Sequence, residues 1–334
     1  MEKEIYIVGT GSYVPKNIVK NDDFKKYIET SDEWIYTRTG IKERRWADKD
    51  EAASDLAFKA FQKMNEDLKI DPNDIELIVM ATITPDTHCP SGANWLEAKI
   101  GADNAVSFDV TAACSGFIFA IDVAKQYLLT GRYKNALVVA SEVMSRVIDI
   151  YDRESCILWG DGAGCIFIST EDKYKHRDLP TIKSTHIFTD GKNGQNLLMP
   201  GGGSKTTPIS HESVDKKLHY LKMIQASDSL RVAVRRFSES INVALVANNL
   251  TPEDVDVVVP HQANVRILKN VAKLSKIPFE NFYLTIEKFG NSSSSSVAIA
   301  LDCAVRDGTI KKGSNVILTA FGGGLTWGSV YIKW

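Results

Sequence analysis

The sequence predicts an α/β protein built by duplication, with mainly parallel or mixed sheets covered by helices. Three observations carry this. The segments "LKIDPNDIELIVMAT" (68–82) and "NNLTPEDVDVVVPHQ" (248–262) share a turn, with Pro72 matching Pro252 and Asp74 matching Asp254 at one offset. The same offset pairs Asp122 with Asp302, Asn135 with Asn315 and Ala140 with Ala320, and a constant shift over that length marks an internal repeat. In both copies, short β-branched runs alternate with stretches of helical period, the pattern of strands and helices that cover one another.

Taken in order, the first copy opens with an amphipathic helix over about 52–67 and a Pro-Asp turn. Strand Ile75–Ala81, the apolar run Ala105–Val110, a helix over about 114–130 and strand Ala136–Ala140 follow. The second copy repeats them as a helix over 226–248, strand Val255–Val259, another strand, a helix over 294–307 and strand Val316–Ala320. The expected halves are 1–175 and 176–334. The stretch 170–225, rich in Gly, Ser, Lys and His, reads as their connection, with a surface excursion or lid near 190–225. "NSSSSS" (291–296) is locally biased.

Bulk properties narrow the function. Apolar residues make up 44% and charged residues 25%, with net charge −2, so neither nucleic acid nor a membrane surface is expected as the main partner. The start, MEKEIYIVGTG, has no apolar core of signal-peptide length, and no run is long enough to span a bilayer. Five cysteines, at 89, 114, 156, 165 and 303, include no C-x-x-C pair. An odd count with that spacing argues against a disulfide framework or a zinc site, so no metal and a reducing cytoplasm are expected.

Candidate chemistry sits at element junctions. Cys114, in "VTAACSGFIF", falls where a strand runs into a helix, among small residues that leave room for a substrate. A helix N-terminus favours a thiolate there. In the repeat Cys114 aligns with Ser294 and His261 with Ala81, an asymmetry that packing alone does not require. His261 ("VVVPHQANVR") and Asn291 ("KFGNSSSSSVAIAL") also follow strands, where α/β sheets gather ligands. By themselves, a packed histidine and a helix-capping asparagine are equally ordinary readings. "FGGGLTWGS" (321–329) is either a tight hairpin turn or a glycine turn that presents an N–H to a ligand. Such an N–H paired with that of Cys114 would form an oxyanion hole worth about 3–4 kcal/mol. "IVGTGSYVP" (7–15) lacks the third glycine of a dinucleotide loop, and "WGDGAGC" (159–165) lacks the lysine of a phosphate loop; both are rejected. Arg266, Lys269, Lys273 and Lys276, spaced 3, 4 and 3 apart, fall on one helical face.

Jointly, "GTGSYVP", "TSDEWIYTRTGIKERR", "AACSGF", "DRESCILWGDGAG", "VPHQANVRI", "GNSSSSSVAIAL" and "FGGGLTWGS" resemble the β-ketoacyl-acyl carrier protein synthase III family, condensing enzymes of the thiolase superfamily, over nearly the whole chain. The resemblance implies the thiolase-like duplicated five-layer α/β/α/β/α fold. It implies Cys114 as acylated nucleophile, His261 and Asn291 completing the triad, and Cys114 and Gly324 as oxyanion donors. Trp34, Arg38 and Arg153, with Thr30 nearby, match positions that grip the adenine end of coenzyme A, and Ala263 and Asn264 match the pantetheine tunnel. The implied reaction condenses an acyl-CoA starter with malonyl-acyl carrier protein, starting fatty acid biosynthesis in a homodimer that holds no permanent cofactor. The basic face, with Arg231, would dock the acidic carrier.

Two departures bear on the substrate. Cys89, in "THCPSG", stands where phenylalanine is common near the acyl pocket, which the partner subunit is expected to approach. Leu230 replaces a tunnel phenylalanine, and "MIQASDSLRVAV" (223–234) lacks the usual glycine. Other readings are a secondary-metabolism relative with a different starter or acceptor, a papain-like thiol hydrolase, and a non-catalytic thiolase-fold binding protein. The hydrolase leaves the duplication unexplained, and the retained Cys114, His261 and Asn291 argue against the binding protein.

Overall fold

The computed structural model describes residues 3–175, 177–204, 208–223 and 226–334, without the side chains of 193, 196 and 226–230. The first half comprises β1 (Tyr6–Tyr13), β2 (Asn17–Lys20), α1 (Asp32–Thr39), β3 (Glu43–Trp46), α2 (Ala53–Leu68), β4 (Leu77–Ala81), α3 (Gly92–Ile100), β5 (Val106–Val110), α4 (Gly116–Leu129), β6 (Asn135–Val143) and β7 (Asp161–Ser169). The second comprises β8 (Thr181–Thr189), β9 (Leu197–Leu198), α5 (His211–Asp215), β10 (Lys222–Met223), α6 (Ala226–Ala247), β11 (Val257–Pro260), α7 (Val265–Ser275), α8 (Ile286–Phe289), α9 (Ser295–Arg306), β12 (Asn315–Gly322) and β13 (Thr326–Lys333).

The repeat is visible strand by strand. One half-sheet runs β1-β7-β6-β4-β5 and the other β8-β13-β12-β11; the pair Tyr6 and Thr181 joins them. In both halves the strands at the core are parallel, β4 with β6 and β11 with β12, and β4 and β11 are apolar and buried along their length. Parallel strands covered on both faces require this composition. One core combines β-strands of both halves with Phe117, Ile121 and Ala124 of α4 and Val297, Ala300 and Leu301 of α9. A second packs α2 and α3 outside the first half-sheet, and a third packs α6 and α7 outside the second. The layers are therefore α2/α3, sheet, α4/α9, sheet, α6/α7, the five-layer arrangement expected. Even polar details recur: Thr10 donates to Asp302 at 2.7 Å, as Thr185 does to Asp122 in the other half.

Two expectations change. Strands β6 and β12 continue past Ala140 and Ala320 to Val143 and Gly322. The counterpart of β5 is only a single bridge between Val258 and Phe282. The reason is Gln262: its amide donates to Pro260 O and Tyr283 O and accepts from Thr285 N and Ile286 N, so a side chain meets backbone groups that a strand partner would otherwise meet. The rejected glycine motifs are strand glycines where helices cross closely. A Cβ on Gly11 would lie 2.5 Å from Ala60 O of α2, and one on Gly164 would lie 2.6 Å from the Ala298 Cβ of α9. Of the excursion near 190–225, the described part forms the ribbon β9–β10 and the short α5, and Leu197 and Met223 reach the cavity described next. Within described residues no helix is long and apolar enough to cross a membrane.

Candidate active site

The ends of β11 and β12 and the turns that precede α4 and α9 border one cavity of about 490 Å³. Cys114, His261 and Asn291 all line it. Cys114 does not begin α4; it sits in the 3₁₀ turn Ala113–Ser115 just before it. Ala113 there has φ +45°, and its repeat partner Ser293, before α9, has φ +51°. Both halves thus hold a non-glycine residue in left-handed backbone ahead of a central helix, a local cost maintained where side chains must be aimed.

Cys114 is buried, 5% exposed. Burial pushes its thiol up to about 12, outweighing the Ser293 hydroxyl, which donates to Sγ at 3.7 Å. Desolvation thus opposes the thiolate that a helix start was expected to favour. His261 is 1% exposed, and burial takes its imidazole down to about 3, so it rests neutral. The backbone N–H of His261 donates to Thr319 O at 2.8 Å, and the ring Nδ1 lies 2.6 Å from Ser296 Oγ. The Ser296 hydroxyl also reaches Ser293 O at 2.9 Å, and it has one proton for two neighbours. Given to Ser293 O, that proton leaves the imidazole hydrogen on Nδ1 and a bare Nε2, suited to accept a proton. Turned onto Nδ1, it leaves the hydrogen on Nε2, suited to donate to an oxyanion.

Asn291 has its orientation fixed by the backbone. Its Oδ1 accepts the Ser293 N–H at 2.9 Å, and an N–H can only donate, so Nδ2 is the end left to donate elsewhere. The glycine turn closes the β12–β13 hairpin, and Gly322, Gly323 and Leu325 also line the cavity. A Cβ on Gly322 would lie 2.7 Å from Cys114 N, so glycine keeps that amide accessible. Gly324, expected as the second donor, is not among the lining residues; Gly322 and Gly323 are.

At the outer end of the cavity stand Trp34, Arg38, Ala263 and Asn264. The Arg38 and Arg153 guanidiniums lie 4.2 and 4.0 Å from the centre of the half-buried Trp34 ring. A planar base entering between Trp34 and Arg153 would have to lift the guanidinium and take its place on the ring. Asn264 caps α7 through Arg266 N and donates to Arg38 O, while Thr30 is half-buried and outside the lining. Exposed Arg266, Lys269 and Lys273 project from α7, Arg231 from α6; Lys276 is the left-handed residue ending α7, not part of its face. Cys89 is exposed on the loop before α3 and does not line this cavity. Leu230 lies outside the residues whose side chains are described.

The sequence reading missed two contributors. The serine run 292–296 is buried throughout, and its hydroxyls bond Cys114, His261 and the fully buried Glu142. Polar residues filling successive turns of an otherwise apolar helix start were the available signal. Among described residues, no group of histidines, cysteines and carboxylates could hold a metal ion.

A buried thiol, a neutral imidazole and an oriented amide around one tunnel-like cavity in a duplicated five-layer body define a thiolase-fold acyltransferase. The model of 3-oxoacyl-[acyl-carrier-protein (ACP)] synthase III matches residues 108–191, and that of its C-terminal part matches residues 245–334. The β-ketoacyl-[acyl-carrier-protein] synthase III of Clostridioides difficile is 46% identical over 334 residues, 100% of this chain and 99% of that protein. The one from Caldanaerobacter subterraneus is 45% identical over 98% of this chain and 97% of its own. The crystal structure of the Aquifex aeolicus 3-oxoacyl-[acyl-carrier-protein] synthase III superposes with a TM-score of 0.88 at 37% identity, covering 99% of this chain and 100% of that one. The chain belongs to the β-ketoacyl-[acyl-carrier-protein] synthase III family and is a condensing enzyme, a transferase.

Proposed function

We propose that the protein starts fatty acid biosynthesis by condensing an acyl-CoA starter with malonyl-acyl carrier protein. The observation that carries this reading is the shared lining of Cys114, His261 and Asn291 at the inner end of a cavity whose outer end is Trp34 and Arg38. Acyl-CoA enters past Trp34, Arg38 and Arg153, its pantetheine arm running along Ala263 and Asn264.

In the first half-reaction the Cys114 proton moves to Nε2 of His261. Each ion alone is costly here, but the pair keeps the cavity neutral overall. Sγ attacks the thioester carbonyl, the S–C bond to coenzyme A breaks, and the proton leaves with the departing thiol. The N–H of Cys114, with one from the Gly322–Gly323 turn, receives the oxyanion.

In the second half-reaction the malonyl C–C bond to its carboxylate breaks and carbon dioxide leaves. His261 and the Asn291 Nδ2 donate to the resulting enolate oxygen; a carboxylate in their place would oppose that charge. The enolate carbon attacks the acyl-cysteine carbonyl, the C–S bond breaks, and Cys114 recovers a proton from solvent. The reaction yields a 3-oxoacyl-acyl carrier protein and draws on no permanent cofactor. The setting is a cytoplasmic homodimer. A second reading, a condensing enzyme of secondary metabolism, is favoured by the R1128 polyketide pathway's priming β-ketosynthase, whose structure matches at TM-score 0.89 and 33% identity over 99% of this chain.

Intact-mass analysis with a panel of acyl-CoAs tests both the chemistry and the starter. The wild type gains one acyl group, mapped to Cys114, and Cys114→Ala gains none. Asn291→Ala keeps much of its self-acylation but loses condensation about a hundredfold or more, whereas His261→Ala, lacking the base that takes the Cys114 proton, slows both steps. Acylation of Cys114→Ala at the wild-type level, or equal loss of both steps in Asn291→Ala, overturns the assignment.

A further inference from the structure

Glu142, at the end of β6, is fully buried and has no part in the chemistry described above. Its Oε2 accepts from Ile83 N at 3.0 Å, Thr84 Oγ1 at 2.7 Å and Thr82 Oγ1 at 3.3 Å; its Oε1 lies 2.7 Å from Ser294 Oγ. Both threonine hydroxyls donate to Oε2, and each also accepts one backbone N–H, Thr82 Oγ1 from Thr84 N and Thr84 Oγ1 from Val143 N.

The repeat shows what kind of place this is. By the common offset Ser294 stands where Cys114 stands, Ala81 where His261 stands, and Glu142 where Gly322 stands. In the second half the glycine allows the Cys114 backbone N–H to approach closely, a Cβ there lying 2.7 Å from it; in the first half the matching position carries a carboxyl group.

Hydrogen counting fixes the state of that group. Ser294 Oγ also lies 3.3 Å from Ala81 O, which can only accept. If Glu142 carries a proton on Oε1, it donates to Ser294 Oγ, which passes its own proton to Ala81 O, and each group is satisfied. If Glu142 is ionised, Ser294 must serve it and Ala81 O loses this donor. The titratable group facing it is Cys114, across the Ser293–Ser294 turn, and the largest influence on the carboxyl is burial, which favours its neutral form. A charge here would also oppose both the Cys114 thiolate and the enolate.

We propose that Glu142 is a positioning residue that works as a neutral carboxylic acid, donating to Ser294 and so holding the Ser293–Ser294 turn that aims the Ser293 hydroxyl at Cys114 and orients Asn291. This role rests on the condensing function, but the state of the carboxyl can be read without substrate. Infrared difference spectra of the full chain at neutral pH should show a protonated-carboxyl C=O band, above the amide I region, that disappears in Glu142→Gln. Because the Gln amide also donates to Ser294, the inflection of the pH profile for Cys114 alkylation should stay where it is in the wild type. In Glu142→Leu, which cannot hold the turn, kcat for condensation should fall about tenfold or more while KM for the malonyl thioester changes little. Absence of the band, or a downward shift of the Glu142→Gln inflection by a pH unit or more, would show an anion and overturn the proposal. An unchanged kcat in folded Glu142→Leu would overturn the positioning role while leaving the condensing function intact.

Discussion

Folding takes His261 out of water, and its imidazole drops from an ordinary 6.5 to about 3. Between those values the unfolded chain binds a proton that the folded chain refuses. Stability therefore rises with pH across that window, and acidification removes about 1.4 kcal/mol per pH unit. Asp161, also buried, works in the opposite sense: its carboxyl is raised to about 6, so the folded chain holds the extra proton and that contribution fades as pH rises from 3.8 to 6. The histidine effect is isolated by substitution. On going from pH 7 to pH 5, His261→Gln should lose about 2 kcal/mol less stability than the wild type in thermal or denaturant unfolding. Equal acid sensitivity in the two proteins would mean that the imidazole is not held neutral.

At the scale of elements, α7 ties the basic surface to the cavity mouth. Leu268, Val271 and Ala272 bury one side of the helix, leaving Arg266, Lys269 and Lys273 outside. Arg266 Nε donates to Thr37 O, and Asn264 holds Arg38 O, so α7 and α1 present their cations together. Arg266→Glu should weaken binding of an acidic carrier protein about three- to tenfold and flatten its salt dependence, measured by titration at several ionic strengths. Unchanged affinity would mark the surface as merely solvated. The repeated elements were legible from spacing: α2, α4, α6 and α9, the Pro-Asp/Glu turns and the parallel strands fall within two or three residues of expectation. Hidden from the sequence were interactions made by single side chains across the repeat, such as Gln262 in place of a strand and the serine run serving three partners. The opposition to a thiolate was hidden too: a helix start is visible in a sequence, whereas the burial that opposes it depends on β12 and α9 closing over Cys114.

At the scale of the molecule, the proposed homodimer would give Cys89 a part in what the cavity selects. Cys89 is exposed in one chain, away from that chain's cavity. If a partner's loop closes the acyl end, a side chain smaller than phenylalanine leaves room for extra methylenes, each worth up to about 0.8 kcal/mol when buried. Cys89→Phe should then shift kcat/KM by one to three powers of ten toward acetyl-CoA relative to octanoyl-CoA. An unchanged chain-length profile removes Cys89 as the gate. The division of labour between the halves has a further consequence, for inheritance. Cys114 comes from one half and His261 and Asn291 from the other, yet all three meet within one chain. Two defective alleles, one altered at Cys114 and one at His261, therefore cannot rescue each other in a mixed pair, since each cavity retains one fault. A lesion at Cys89 would behave differently, because its effect would be felt in the neighbour's cavity and a single altered allele would show in half-altered pairs.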